Sequence, residues 1–272
     1  MRFTKMHGLG NDFALISEAD SQMHSIFQLA DRHTGIGFDQ AIIISDFIPQ
    51  DSLFTIKFLN ADGSHAGGCG NGTRAAAGYF HKVTGQTDFN IHITLPSGGY
   101  DVVEASIMPN DIAKIKMPKP KFSADQIPLS NLTLDPQNLI TSHFNASGFC
   151  VNVGNPHIVF IVDDCLKIPL ETIGYSIETD ALFPERINVE FISIINRDTL
   201  KMRVWERGVG ITQACGTGAC AAVIAASHQG LINQACKVLL DGGELDIDYS
   251  LDTQTLYMQG AYKFVYEGQL LL

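Results

Sequence analysis

Two short cysteine segments in this chain share one pattern, although they lie far apart. One reads Cys-Gly-Asn-Gly at residues 69–72 and the other Cys-Gly-Thr-Gly at residues 215–218, and each continues into a stretch rich in alanine. This succession is typical of a glycine turn that opens a helix. A thiol in such a turn lies beside unpaired N–H groups at the positive end of the helix dipole, which stabilises thiolate over thiol. The repeat therefore predicts two reactive thiols with matched chemistry.

Other landmarks recur at nearly the same spacing. Cys69 and Cys215 are 146 positions apart, and the Gly-Asn pairs that begin at Gly10 and Gly154 are 144 positions apart. A Gly-Gly pair also recurs after 144 positions, at 98–99 and 242–243. Single matches between glycine-rich turns arise by chance, but the shared order and offset favour a duplicated unit of roughly half the chain.

The segments around each cysteine turn indicate how one half folds. Phe54–Asn60 and Leu200–Glu206 alternate as half-buried strands do, and each leads to a cysteine turn. The helix expected after each turn is apolar nearly all round, so it must be enclosed on all sides. We therefore expect an α+β fold of two pseudo-symmetric domains, each a curved, mostly antiparallel sheet wrapped around one central helix.

The limits of the two halves are less sharply marked. A length of 272 residues allows one large domain or two of ordinary size, and the repeat favours two. Repeated proline makes residues 117–122 the best linker candidate, because proline disfavours both helix and interior strand. The final strand, expected near Ala261–Tyr266, could return to either half.

Composition excludes several classes of protein. A net charge of −11 argues against a nucleic-acid partner, because affinity for the phosphate backbone depends on clustered Lys and Arg. No apolar run reaches the length of a membrane span, and the first residues lack the apolar core of a signal peptide, so we expect a cytoplasmic protein without a membrane segment. The six cysteines show no CxxC spacing, which argues against a zinc or thioredoxin-like site.

Two such thiols suit one reaction in particular, the inversion of a carbon centre. If the halves face each other, one thiolate removes an α-proton and the other thiol returns a proton to the opposite face, while the N–H groups of both turns hold the carboxylate. The active site would then lie in the cleft between the domains. One thiol must start ionised and the other protonated, and Glu206 and His157 are candidates to set these states.

Seven segments closely resemble the diaminopimelate epimerase family, and they follow its order from the first residues onward. The two Gly-Asn loops and the Cys-Gly-Asn-Gly copy make the match specific, since proline racemase-like relatives share Cys-Gly-Thr-Gly. The matching segments are Met6–Phe13, Gly35–Gln40, Asn60–Ser64, Cys69–Gly72, Gly154–His157, and Glu206–Gly208 with Ala214–Cys220.

The resemblance implies an enzyme that interconverts LL- and meso-diaminopimelate for lysine and peptidoglycan precursors, without pyridoxal phosphate, another cofactor or a metal. It implies a homodimer, with the last strand in the first domain. The predicted domains are residues 1–116 plus 261–272, carrying Cys69, and residues 117–260, carrying Cys215.

The resemblance also assigns roles to individual residues. Cys69 and Cys215 would be the acid/base thiols, assisted by His157 and Glu206. The substrate's reacting end would be held by Asn11, Gln40, Gly70, Asn71, Gly216 and Thr217, and its distal end by Asn60, Asn155, Asn188, Arg207 and Glu206. An Arg beside a Glu fits this assignment, because a substrate with an amino acid at each end needs an anion clamp and a cation acceptor.

Three positions depart from the family pattern. His65 stands where an acidic residue is frequent, Gly68 where Gln or Met is frequent, and Ala75 where another Cys often follows the Arg. These departures leave the conformation of residues 65–68 open and allow an altered substrate range.

Other interpretations compete with the epimerase. The same fold could serve a racemase or epimerase of another amino acid, and Cys69 or Cys215 with His157 could form a cysteine hydrolase. A thiol-based redox or metal-binding protein is a non-enzymatic alternative. Arg74 is expected to cap or pair on the surface, whereas the remaining cysteines fit buried apolar positions: Cys150, Cys165, Cys220 and Cys236.

Overall fold

A computed structural model of the chain describes residues 1–22, 24–48 and 52–271. The chain divides into two compact units. Met1–Lys116 and Gln259–Leu272 form the first unit, and Met117–Met258 forms the second. Residues 117–120, in the proline-rich stretch, belong to no helix or strand.

The first unit is a sheet around one long helix. Its helices are α1 (Glu18–Ser21), α2 (Ile26–Ala30) and α3 (Gly70–Thr84), and its strands are β1 (Arg2–Gly8), β2 (Asn11–Ser17), β3 (Gln40–Ile48), β4 (Leu53–Asn60), β5 (His65–Ala66), β6 (Asp88–Thr94), β7 (Tyr100–Met108), β8 (Ile112–Lys116) and β18 (Lys263–Gln269). Strand β18 pairs with β1, so the end of the chain completes this sheet.

The second unit repeats this plan. Its helices are α4 (Leu170–Glu178) and α5 (Gly216–His228), and its strands are β9 (Leu139–Ile140), β10 (Ser147–Asn152), β11 (Pro156–Ile161), β12 (Asn188–Asn196), β13 (Thr199–Glu206), β14 (Gly210–Ile211), β15 (Ala235–Leu240) and β16 (Gly243–Tyr249), with 3-10 turns at Pro136–Asn138 and Cys165–Lys167. Strand β17 (Leu256–Ala261) spans the point where the chain passes back into the first unit.

Strand pairing shows that the two units are copies of one topology. In the first, β1–β2 is antiparallel, β2–β3 parallel, β3–β4 and β4–β5 antiparallel, β4–β6 parallel and β6–β7 antiparallel. In the second, β10–β11, β11–β12, β12–β13, β13–β14, β13–β15 and β15–β16 follow the same succession. The predicted α+β fold with two pseudo-symmetric, sheet-and-helix halves is confirmed.

Both central helices pack closely against their sheets, and in α5 the side chains are small and apolar on nearly every face. In α5, buried positions run almost without a break from Gly216 to Ser227, and Val223 and Ile224 are completely inaccessible to solvent. In α3, Gly78 lies against the Tyr262 ring, and a Cβ at this glycine would lie 2.3 Å from that ring. Glycine therefore lets the chain segment before β18 pack directly on the helix.

One sequence expectation fails in α3. Arg74 is completely buried rather than on the surface, and its Nη2 donates to Oδ1 of Asn71 at 3.0 Å. The reason is that the whole first turn of α3 is enclosed by the sheet, which sequence spacing alone did not indicate. The buried positions predicted for the remaining cysteines are confirmed, at Cys150, Cys165, Cys220 and Cys236.

Candidate active site

Both cysteines of the repeated Cys-Gly-x-Gly pattern lie, as predicted, at the residue that opens a helix. Cys69 is the N-cap of α3, and its Sγ accepts the Gly72 N–H at 3.4 Å. Cys215 is the N-cap of α5, and its Sγ accepts the Gly218 N–H at 3.4 Å. Each sulfur thus takes the capping role that Ser or Asp more often fills, because the first N–H groups of a helix have no partner within it.

The glycine three residues after each cysteine is required by close packing. A Cβ at Gly72 would lie 2.4 Å from the Phe58 ring, and a Cβ at Gly218 would lie 2.8 Å from Oε1 of Glu190. Larger residues here would push the helix away from the sheet and change the position of the thiol. The Cys-Gly-x-Gly pattern therefore fixes sulfur geometry as well as turn conformation.

The Cys69 thiol is linked to a network of charged side chains through Asn11. Its Sγ donates to Asn11 Oδ1 at 3.5 Å, and Asn11 Nδ2 donates to Asp39 Oδ2 at 3.0 Å. Arg32 Nη2 in turn lies 2.8 Å from Asp39 Oδ1. Asn11 is therefore oriented by a carboxylate that is itself held by a guanidinium.

Asp12 closes this network. Arg32 binds it through both terminal nitrogens at 2.9 Å, and the buried Lys5 lies 2.6 Å from its Oδ2. Burial raises the pKa of the Asp12 carboxyl, but the hydrogen bonds from Arg32 and Lys5 outweigh it and hold that pKa well below its usual value. Sequence reasoning assigned no role to this cluster, although Asp12 and Asp39 both stand inside the resembling segments.

The remaining predicted residues of the first unit fall into two places. Gln40 begins β3 and pairs in register with Asn60 at the end of β4, and its Nε2 donates to Asn60 Oδ1 at 2.9 Å. Asn60 Nδ2 donates to Ser64 Oγ at 3.0 Å. Asn71 lies in the first turn of α3 with Gly70, so it stands beside Cys69 along the chain.

In the second unit, His157 is completely buried between two oxygen atoms. Its Nδ1 lies 2.7 Å from Oε1 of Glu190, and its Nε2 lies 2.9 Å from Oδ1 of Asn155. A neutral imidazole donates from only one nitrogen. The two contacts are therefore both satisfied when His157 is an imidazolium beside a Glu190 carboxylate, or when Glu190 carries the proton. Either way, one proton lies between His157 Nδ1 and Glu190 Oε1.

The duplicated topology shows that this pair has no counterpart in the first unit. His157 pairs with Asn188 as Phe13 pairs with Gln40, and Glu190 occupies the position of Ile42. Glu190 was missed by sequence reasoning. The available signal was a single charge within the otherwise apolar run that begins β12, where an unpaired carboxylate would be very costly to bury.

The environment of Cys215 corrects the expectation that both helix N-termini favour thiolate. Burial, followed by the negative charges of Glu206 and Glu190, raises the pKa of the Cys215 thiol well above its usual value. The hydrogen bonds from Thr217 and Gly218 lower that pKa but do not compensate. Cys215 is therefore held as a thiol, because the dipole of α5 is outweighed by desolvation and like charge.

Three of the residues expected at the distal end, Asn188, Glu206 and Arg207, lie around the turn after β13. The other two lie elsewhere, because Asn155 contacts His157 and Asn60 ends β4 in the first unit. Asn188 Nδ2 donates to the Pro156 carbonyl at 2.9 Å, and its Oδ1 accepts the Arg207 N–H at 2.9 Å. The Arg207 side chain is exposed and donates to the Glu185 carbonyl at 3.0 Å, while Glu206 accepts a hydrogen bond from Thr212. Asn188 thus has both ends of its amide engaged by backbone.

The three departures from the family pattern have separate structural surroundings. His65 begins β5, which pairs with β4, and its Nε2 lies 2.9 Å from the Thr94 carbonyl. Gly68 has a φ of +157°, and Ala75 is completely buried in α3. The segment from 65 to 68 is therefore partly a strand, which answers the question that its sequence left open.

Two kinds of feature are absent from the described part of the chain. Within it, no group of three or more His, Cys, Asp or Glu side chains is placed to hold a metal ion. No helix in the same residue ranges is long and apolar enough to cross a lipid bilayer.

Comparison with known proteins finds a family and individual relatives that share one description. The sequence pattern of the family described as diaminopimelate epimerase matches residues 3–121 and 149–265. A diaminopimelate epimerase from Nostoc punctiforme is 40% identical over 286 aligned positions, covering 99% of both chains. One from Erythrobacter litoralis is 43% identical over 260 positions, covering 92% of this chain and 90% of its own.

Solved structures share the fold at low sequence identity. A predicted epimerase from Pseudomonas aeruginosa superimposes with a TM-score of 0.67 at 15% identity, covering 100% of this chain and 99% of that one. A hydroxyproline epimerase from Agrobacterium vitis gives 0.65 at 10% identity, covering 99% and 90%. These likenesses concern the fold alone, whereas the sequence relatives favour an isomerase over the hydrolase and redox alternatives. The chain belongs to the diaminopimelate epimerase family.

Proposed function

We propose that the protein interconverts LL- and meso-diaminopimelate by moving a proton at one α-carbon, without a metal or an organic cofactor. The observation that carries this proposal is the pair of helix-capping thiols in unlike charge environments, Cys69 linked to Asn11 and Cys215 flanked by two carboxylates. The product would feed lysine and peptidoglycan precursor synthesis. We place the enzyme in the cytoplasm, where reducing conditions preserve thiols.

The proposed reaction begins with Cys215 as the protonated partner. Cys69 must first lose to solvent the proton that it donates to Asn11 Oδ1. As a thiolate it takes the α-proton and becomes a thiol again, and the electron pair left on carbon delocalises into the α-carboxylate. Cys215 then gives its proton to the opposite face and becomes a thiolate. The raised pKa of the Cys215 thiol supports this order of events, since such a group is fully protonated at neutral pH.

Proposed substrate contacts divide between the two ends of the molecule. Backbone N–H groups at the starts of α3 and α5 suit the α-carboxylate, whose charge grows during the reaction. The reacting end is assigned to Asn11, Gln40, Gly70, Asn71, Gly216 and Thr217, and the distal end to Asn60, Asn155, Asn188, Glu206 and Arg207. His157 and Glu206 are proposed to assist proton transfer. Each functional domain supplies one thiol, with limits at 1–116 plus 261–272 and at 117–260.

A panel of amino acids in heavy water tests the substrate assignment. The reduced protein is incubated without cofactor, and α-deuterium is measured in diaminopimelate isomers, lanthionine, histidine and proline. We expect exchange of diaminopimelate to exceed that of histidine and proline by at least about a hundredfold, because these lack the distal amino-acid group. Equal exchange of proline or histidine would contradict the proposed substrate, and no exchange at all would contradict the reaction.

We also propose that the protein is a homodimer built through β18. This strand pairs with β1, and Phe264, Val265 and Tyr266 are exposed on it. Exposed apolar side chains grouped in one short segment are typical of a surface that contacts a second copy.

Light scattering should give about twice the chain mass of 29.6 kDa. Val265→Lys should shift the mass to one chain, whereas Val209→Lys, at a more exposed valine outside β18, should not. A monomeric wild type contradicts the proposal.

A further inference from the structure

The turn at residues 206–208 carries the Glu206–Arg207 pair and is held by groups outside it. The Arg207 N–H donates to Asn188, and the Gly208 N–H donates to Oε1 of Glu178 at 2.8 Å. Gly208 adopts a φ of +75°, which glycine reaches without strain. The backbone on both sides of Arg207 thus depends on side-chain acceptors from neighbouring elements.

Glu178 is a buried carboxylate on which three donors converge. Besides Gly208, its Oε2 accepts the Trp205 indole N–H at 2.6 Å, and Arg186 Nη1 lies 3.3 Å from its Oε1. Two of these donors, at 205 and 208, flank the Glu206–Arg207 pair in sequence. The carboxylate therefore ties the end of β13 to the turn that follows it.

Burying the Glu178 carboxylate at this position costs free energy, which indicates that the carboxylate has a role there. It is the last residue of α4, where the helix dipole disfavours negative charge, and only 2% of it is exposed. Helix α4 is seated closely on β13, since a Cβ at Gly174 would lie 2.7 Å from Trp205. An apolar residue would fill this space at lower cost but would leave Trp205 and Gly208 without an acceptor.

The equivalent turn in the first unit needs no such support. After β4, the Ser64 N–H and hydroxyl both donate to Asp62, and the Gly63 N–H donates to the Asn60 carbonyl. That turn is closed by its own residues. The external carboxylate is therefore particular to the turn that bears the charged pair.

We propose that Glu178 is a positioning residue that sets affinity for the distal end of the substrate, by fixing the turn that presents Glu206 and Arg207. This rests on the proposed function, in which that pair binds the distal ammonium and carboxylate. The substrate class it serves is an amino acid with a second amino-acid group at its far end. Glu178 itself touches no reacting atom in this scheme.

Glu178→Gln gives a direct test, because an amide has only one acceptor oxygen. Whichever way the amide is turned, its NH2 group faces either Trp205 or Gly208, both of which are donors. We expect KM for diaminopimelate to rise about tenfold or more while kcat stays within about threefold. Emission of Trp205, the single tryptophan in the chain, should shift as its hydrogen bond is lost.

Two matched variants separate positioning from general stability. Arg186→Gln removes the third donor to the same carboxylate without touching the turn, so KM should stay within about threefold. In the double variant Glu178→Gln with Trp205→Phe, the indole donor is gone, so the amide can turn its NH2 group toward residue 205 and its oxygen toward the Gly208 N–H. KM should then return to that of Trp205→Phe alone. If Glu178→Gln does not fold, Glu178→Asp, which keeps the charge but shortens the reach, should raise KM by a smaller factor.

The possible results separate a failure of the Glu178 proposal from a failure of the proposed function. A wild type that does not act on diaminopimelate contradicts the proposed function itself. An active wild type whose KM is unchanged in Glu178→Gln overturns only the role of Glu178, as does a double variant that shows no recovery. A KM increase shared equally by Arg186→Gln also overturns it.

Discussion

Replacing either Cys69 or Cys215 with alanine is expected to lower interconversion of LL- and meso-diaminopimelate by about 10²- to 10⁴-fold, the usual contribution of one general acid or base. Inversion needs one thiol on each face of the carbon, so the loss of either stops it. Substrate binding should be retained, because the helix N–H groups do not depend on the sulfur. The rate is measured by chiral separation of the isomers after incubation with reduced enzyme.

The same two variants should differ in the exchange they retain. In each, the remaining thiol can still remove and return the proton on its own face, so α-deuterium should enter one isomer but not the other. The isomer that still exchanges should be opposite in Cys69→Ala and Cys215→Ala. Cys220→Ala, in the buried part of α5, is the matched control and should keep both activities. Exchange of both isomers in both variants would contradict the two-thiol mechanism.

Glu190→Gln is expected to reduce kcat by about tenfold or more, because we propose that the buried His157–Glu190 pair assists proton transfer. In the proposed reaction Cys215 is a thiolate after one turnover and must regain a proton. The pair is close to this thiol, since a Cβ on Gly218 would lie 2.8 Å from Glu190 Oε1 and 3.4 Å from Cys215 Sγ, and the charge of Glu190 acts on Cys215. Glutamine removes that charge and leaves His157 without a carboxylate partner.

The direction in which Glu190→Gln shifts the pH dependence of Cys215 reactivity follows from the loss of the Glu190 charge. Burial first, then Glu206 and Glu190, raise the pKa of the Cys215 thiol, so neutralising Glu190 must lower it. Alkylation of Cys215 by iodoacetamide, resolved by mass spectrometry, should therefore reach half of its maximal rate at a lower pH in Glu190→Gln than in the wild type. Glu171→Gln, an exposed carboxylate on α4, should leave the profile unchanged. A profile that stays in place or moves upward would contradict this account.

The regular parts of the fold were predictable because they rest on local patterns. Alternation marked β4 and β13, the Cys-Gly-x-Gly turns marked the starts of α3 and α5, and a near-constant offset revealed the duplication. The alternation and the cysteine turns are each contained in a few neighbouring residues, and the offset compares such short segments along the chain. The pairing order of the strands then followed the same sequence in both halves.

The supporting groups were not predictable in this way, because they are brought together by tertiary structure. Glu190 meets His157 across two strands, 33 positions apart in sequence, and Asp39 meets Asn11 from 28 positions away. The burial of Arg74 depends on a sheet that surrounds the helix. The raised pKa of the Cys215 thiol depends on Glu206 and Glu190, so a helix N-terminus by itself indicated the opposite direction.

The two copies of the fold differ in the residues that surround each thiol. Cys69 is joined to an amide and its charged network, whereas the negative charges of Glu206 and Glu190 act on Cys215. The fold provides two thiols in equivalent positions, and their unlike neighbours give them unlike electrostatic environments.

The central claim, that two thiols act in turn on opposite faces of one carbon, is tested most directly by the position of deuterium at early conversion. LL-diaminopimelate is incubated with the wild-type enzyme in heavy water, and both isomers are isolated before the reverse reaction contributes. The account predicts solvent deuterium at the inverted carbon of meso-diaminopimelate and none in the recovered LL isomer, because the proton removed and the proton delivered belong to different sulfurs. Deuterium in the recovered LL isomer at the level of the product, or product that retains the original hydrogen, would contradict it.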